Sequence, residues 1–174
     1  MRYLLFLLTT GGLACRPAAD GAASTGGRLE GRWSSGGQEV RFSAPAEARW
    51  CERDSSLEVF AVRNDTALGL ALYARDTLRA EAYPVTLAAM FVPARPQATV
   101  ALRLALATEL KGYESSGGQV QVTTGGSRRV SGSFAAMLRH SVGTDSLRVS
   151  GSFDRLAVLP AAASCGRALK PGPG

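Results

Sequence analysis

Two copies of Val-Ser-Gly-Ser-Phe, Val130–Phe134 and Val149–Phe153, start 19 residues apart, and they constrain the fold more than any other stretch. A solenoid needs several stacked units, so two copies at this distance predict a β-hairpin instead. With the turn at Arg139–Thr144, the numbers of paired residues sum to 283. Val130 then faces Phe153, Phe134 faces Val149 and Ala136 faces Leu147, all on one apolar face. Ser131 with Ser152, and Ser133 with Ser150, take the other face, and Gly132 meets Gly151. Glycines in a strand interior mark a bend or a close backbone approach, and the phenylalanines are at hand to cover them. A one-residue slip would turn the apolar set outward.

The rest of the chain from Leu29 repeats this grammar: short apolar alternations cut by turn residues. Val40–Phe42 follows Ser34-Ser-Gly-Gly37, Leu57–Val62 ends at a turn on Asn64-Asp65, and Ala67–Tyr73 comes next. Val85–Val92, Thr99–Leu106 and Gln119–Thr123 complete the set. Short strands at this spacing predict an all-β fold, an antiparallel β-sandwich or small barrel. Leu102, Leu106 and Leu110 also stand at helical spacing, which leaves room for one short helix.

The N-terminus has a different character. One positive charge, the apolar run from Tyr3 to Leu8 and the small residues before Cys15 form an export signal rather than a folded element. The run is far shorter than the roughly 20 residues that span a bilayer. Gly12-Leu13-Ala14-Cys15 resembles the lipobox of bacterial lipoproteins, although that family places leucine three positions before the cysteine, where this chain has Gly12. The resemblance implies a diacylated Cys15, cleavage before it, and a membrane partner reached through the lipid. The envelope membrane facing the periplasm is implied, with the outer membrane favoured. Gly12 and Ala14 equally satisfy an ordinary signal peptidase, which would give a secreted protein with a free Cys15. The expected organisation is a signal at 1–14, a flexible tether at 15–27, one β-rich domain at 28–168 and a disordered tail at 169–174.

Cysteine count bears on this reading. An odd number, Cys15, Cys51 and Cys165, leaves one thiol to explain in an exported protein. If Cys15 carries lipid, Cys51 and Cys165 remain as one disulfide pair in an oxidising compartment, the alternative being two buried free thiols. Trp50 beside Cys51 reads as a packing residue, with Trp33 as a second anchor. The V-S-G-S-F strands and the strand-final Tyr83-Pro84 resemble small β-rich lipoproteins of GC-rich bacteria, a likeness that implies fold and location and transfers no catalytic residue.

Little in the chain suggests chemistry. The net charge of +6 rests on twenty basic residues of which eighteen are arginine, spread singly apart from Arg128-Arg129. That lacks the clustered footprint and interleaved aromatics of nucleic-acid binding, so no nucleic-acid partner is expected. His140 falls in the predicted hairpin turn, and neither GxSxG nor SxxK marks an activated serine. The carboxylates Glu52/Asp54, Asp65/Asp76 and Asp145/Asp154 sit at turns or strand ends, with no EF-hand-like loop and no Cys/His cluster. Asn64-Asp65-Thr66 forms a sequon, and Gly117-Gly118 and Gly125-Gly126 lack the lysine of a phosphate loop. Tyr73, Tyr83 and Tyr113 are placed where a binding rim could form. The reading is therefore a non-enzymatic lipoprotein with a binding or envelope-interaction role, without cofactor or metal. The alternatives are a barrel carrying an apolar ligand among Leu70, Leu72, Leu102, Leu104 and Phe134, and a hydrolase with an unrecognised site around His140.

Overall fold

A computed structural model describes residues 27–87, 95–126 and 128–160. Ten strands account for most of them: β1 Arg28–Ser35, β2 Gln38–Pro45, β3 Glu47–Cys51, β4 Ser56–Arg63, β5 Thr66–Tyr73, β6 Ala82–Pro84, β7 Gln97–Ala105, β8 Leu110–Thr124, β9 Arg129–His140 and β10 Ser146–Pro160. The sole helical turn among the described residues is a 3-10 turn at Glu52–Asp54. The all-β architecture expected from the alternation is what the chain adopts.

The strands form one hydrogen-bonded network in the order β2-β1-β10-β3-β4-β5-β7-β8-β6, and β9 pairs with both β8 and β10. Following the pairings, β3-β4-β5-β7-β8-β9-β10 closes into a ring. Its closing joint is a short parallel ladder between Val158–Pro160 of β10 and Ala48–Trp50 of β3. Over Val149–Asp154 the same side of β10 pairs with β1 instead, and β1 carries β2 as an outer strand.

Period-two patterning places the core. On β4, β5 and β7 the inward residues line up in three rows: Leu57–Leu72–Ala98, Val59–Leu70–Val100 and Ala61–Leu68–Leu102. All nine are buried, and they join Val130, Phe134, Leu138, Val149, Phe153 and Leu156 in one cluster. Each fully buried leucine contributes about 1.5–3 kcal/mol relative to an exposed one. Turn chemistry fixes the joints. Gly36 and Gly37 both adopt positive φ, at 58° and 79°, as a two-residue hairpin requires, and Asn64 takes the left-handed region at φ 51°.

The V-S-G-S-F hairpin forms, but two residues away from the expected register. Val149 faces Ala136, Gly151 faces Phe134, Ser152 faces Ser133 and Phe153 faces Gly132, so paired numbers sum to 285 rather than 283. Gly132 and Gly151 do not meet; each lies under the phenylalanine of the other copy. A Cβ on Gly132 would come 2.5 Å from Phe153 Cζ, and one on Gly151 would come 2.6 Å from Phe134 Cζ. A bulge then shifts the ladder, with Arg155 at φ 49° and Val130 facing Leu156.

Two further expectations change. Leu102 belongs to β7 and Leu110 opens β8, so their spacing belongs to a β-hairpin and not to a helix. Its turn is closed by the Leu106 N–H donating to the Glu109 carbonyl at 2.8 Å. Of the strand expected at Val85–Val92, Val85 makes an isolated parallel bridge to Ala98, and residues 88–94 lie outside the described residues. Residues 82–86 wedge between β7 and β8 where those strands part. The Val85 N–H donates to the Gly118 carbonyl, and the Thr86 N–H donates to the Ala98 carbonyl. Ser115, fully buried, stitches the wedge by donating to the Thr86 carbonyl at 2.7 Å and accepting from the Val100 N–H at 3.2 Å.

Candidate functional site

The most developed surface feature lies where β2, β1, β10 and β9 run side by side. One row across these strands reads Phe42, Gly31, Gly151, Phe134, each residue facing the next in register. The absent side chains matter on the inner side. A Cβ on Gly31 would come 2.8 Å from Leu68 Cδ2, so the glycine lets the opposite wall of the core press against the sheet. On the outer side this row forms the floor of an open groove of about 610 Å³.

Alternation supplies the walls. Arg32, Arg41 and Ser150 stand on one side of the glycine row, and Glu30, Ser43 and Ser152 on the other. Two residues along an antiparallel strand separate the walls by about 7 Å. Arg32 lies directly opposite Arg41. The Arg32 Nε donates to Ser150 Oγ at 3.1 Å, and the Arg41 Nε donates to Glu39 Oε1 at 2.6 Å. On the facing wall Ser43 Oγ donates to Glu30 Oε1 at 3.3 Å and accepts from Arg28 Nε at 3.1 Å. The hydrogen bond and charge of Arg41, with a smaller contribution from Arg32, hold the Glu39 carboxyl below the ordinary carboxylate range. One wall is thus cationic, and the other offers a carboxylate and hydroxyls.

Smaller clefts lie elsewhere on the surface. Trp50, Leu78, Val158 and Pro160 line an apolar hollow of about 480 Å³ beside the closing joint of the ring. A smaller one of about 350 Å³ lies between Val40–Phe42 of β2 and the β4–β5 turn.

Of the residues singled out in the sequence, Cys15 and Cys165 lie outside the described residues, and Cys51 is buried at the end of β3. Trp33 is buried opposite Val40 and Val149, whereas Trp50 is half-buried. His140 ends β9, its ring 5.2 Å from that of Tyr113, which it faces in register. The neighbouring Ser141 hydroxyl donates to the Gly112 carbonyl. Tyr83 and Tyr113 are buried rather than set on a rim; the Tyr83 hydroxyl bonds the backbone of Arg79, and burial raises its pKa. Tyr73 is half-buried, and burial raises its pKa too. Asp76 accepts from the Thr77 N–H and Arg79, and Asp154 from Ser131 and Arg155 at the bulge. Among the described residues no three His, Cys, Asp or Glu side chains gather as metal ligands.

Leu70, Leu72 and Leu102 are fully buried and Leu104 is half-buried, all packed in the single core cluster. The groove residues Glu30, Arg32, Arg41 and Ser43 carry no motif. Their signal is only that each occupies a polar position between buried neighbours, as in Leu29-Glu-Gly-Arg-Trp33. Comparison with protein-family models, with curated proteins and with solved structures found no match.

Proposed function

We propose that this chain is a lipid-anchored, non-enzymatic binding protein of a bacterial envelope, with the β2–β1–β10 groove as its binding surface. The observation that carries the binding role is the groove itself: a glycine-floored trough with guanidinium groups on one wall and a carboxylate with hydroxyls on the other. The full burial of Leu70, Leu72 and Leu102 favours a surface site over a ligand enclosed among them. The anchor rests on the lipobox-like Gly12–Cys15 and on the cysteine count. In this reading Cys15 carries the lipid on a membrane facing the periplasm, and the residues before β1 serve as a tether.

Cys51 pairs with Cys165 in this proposal. Cys51 is buried and engaged, not a free thiol. The end of β10 supports the pairing: Pro160 lies opposite Trp50, so the chain leaves the sheet beside Cys51 with five residues to reach position 165. Five residues span at most about 17 Å, well beyond the roughly 6 Å between Cα atoms that a disulfide needs.

Metabolic labelling with a fatty-acid probe tests the anchor. The full chain takes label and Cys15→Ser does not; an unlabelled wild type refutes the lipid and leaves a secreted protein.

A further inference from the structure

We propose that the groove takes an acidic saccharide, its carboxylate or phosphate held by Arg32 and Arg41 and its hydroxyls by Glu30, Ser43 and Ser152. This rests on the reading of the groove as the binding surface and names what that surface selects.

The arginine pair is the starting point. Like charges directly opposite on neighbouring strands destabilise a sheet, and Arg32 and Arg41 are so placed. Each is tied through Nε alone, Arg32 to Ser150 and Arg41 to Glu39. Among the described residues the terminal nitrogens of both have no hydrogen-bond partner. A guanidinium presents those nitrogens as a planar fork that matches a carboxylate or a phosphate in two parallel hydrogen bonds. The Nε contacts leave the terminal nitrogens of both arginines to a ligand, and the Arg41 side chain is largely exposed. Glu39 already offsets part of the charge on Arg41 and Arg32, and an anion between the two forks offsets the rest.

The facing wall does the opposite job. Glu30 repels a second anion and accepts hydrogen bonds from hydroxyls. The Ser43 hydroxyl proton is already directed to Glu30, and its oxygen takes the Arg28 Nε–H, so Arg28 and Ser43 hold the carboxylate side of the groove together. Ser152 adds a hydroxyl that can donate or accept. About 7 Å between the walls admits one sugar ring but not two side by side. The floor is the outer backbone face of the Gly31–Gly151 row, whose side-chain positions point into the core, so a ring can approach the sheet between the two walls. A bare inorganic anion satisfies one wall only; a neutral sugar satisfies the other only.

The test is an amide chemical-shift titration of the full chain in detergent, where binding does not depend on whether Cys15 is acylated. The probes are glucuronate, glucose 1-phosphate, glucose and inorganic phosphate. Expected are shifts at Gly31 and Gly151, with at least one acidic sugar binding about tenfold tighter than glucose or phosphate. The tighter of glucuronate and glucose 1-phosphate tells a carboxylate source from a phosphate source. Arg32→Gln weakens that sugar about tenfold, while Arg49→Gln on β3, paired with Glu47 away from the groove, leaves it unchanged. Glu30→Gln weakens the acidic sugar but not inorganic phosphate. Phosphate binding as tightly as the acidic sugars overturns the saccharide; glucose binding equally overturns the anion. Shifts elsewhere, or indifference to Arg32→Gln, overturn the site. Loss of the fatty-acid label with an intact titration would strike the anchor alone.

Discussion

Phe153 lies directly across from Gly132, and its ring fills the space where a side chain on that glycine would stand. Phe134 and Gly151 repeat the arrangement with the strands exchanged, so the two V-S-G-S-F copies are related by a local two-fold axis through the Ser133–Ser152 pair. The phenylalanine of each copy completes the core at the glycine of the other.

Gly132→Ala therefore destabilises the protein, although alanine is ordinarily the better strand residue. The new methyl meets both Phe153 and the Gln121 carbonyl, and overpacking of this kind costs about 1–3 kcal/mol. Urea unfolding should show a lower midpoint. Gly117→Ala, with nothing near its Cβ position, should leave the unfolding free energy within about 0.5 kcal/mol of wild type.

Ser115→Ala should loosen the wedge of residues 82–86. The change leaves the buried Val100 N–H and Thr86 carbonyl without their hydroxyl, a loss of about 1–3 kcal/mol. Hydrogen exchange reads it locally, with faster exchange at Val100.

Reduction should destabilise the native state if Cys51 and Cys165 are joined. The bridge closes a loop of 113 intervening residues, for which the chain-entropy account gives at most about 4.7 kcal/mol. Cys51→Ser and Cys165→Ser should each lower the thermal midpoint, and the double variant should fall by clearly less than the sum of the two; simple additivity would separate the two cysteines.

Alkaline pH should unfold the protein through Tyr83. Burial raises its phenol above the ordinary value of 10.0, so the neutral form is the one the fold prefers. The associated stability is intact below about pH 10 and is lost as pH rises from there through the raised folded value. Phenolate absorbance and circular dichroism should change together in that range. Tyr83→Phe should move the circular dichroism transition to higher pH.

The strand faces were legible because alternation is a local property: Leu57, Val59 and Ala61 announce their side of β4 without help from the rest of the chain. The register of the Val130/Val149 hairpin was not, and the reason is the same alternation. A shift of two residues returns every side chain to its own face, so sums of 283 and 285 satisfy the pattern alike. Ring-over-glycine packing decides between them, and polarity does not encode it. The groove was hidden for another reason. Arg32 and Ser150 are 118 residues apart in sequence, and only the pairing of β1 with β10 brings them together. The buried tyrosines were misplaced because both stand at strand ends in sequence, whereas in space Tyr83 belongs to the wedge and turns its hydroxyl to the Arg79 backbone and Tyr113 lies beside His140.

The closing ladder of the ring has a temporal side. β1 and β3 both take β10 as a neighbour, and β10 emerges after every other described strand, whether from a ribosome or through a membrane pore. A chain threaded from its N-terminus thus cannot lock until position 160 has cleared. Until then the edges of β1 and β3 stand open, and a message truncated before Ser146 yields a sheet with no means of closing.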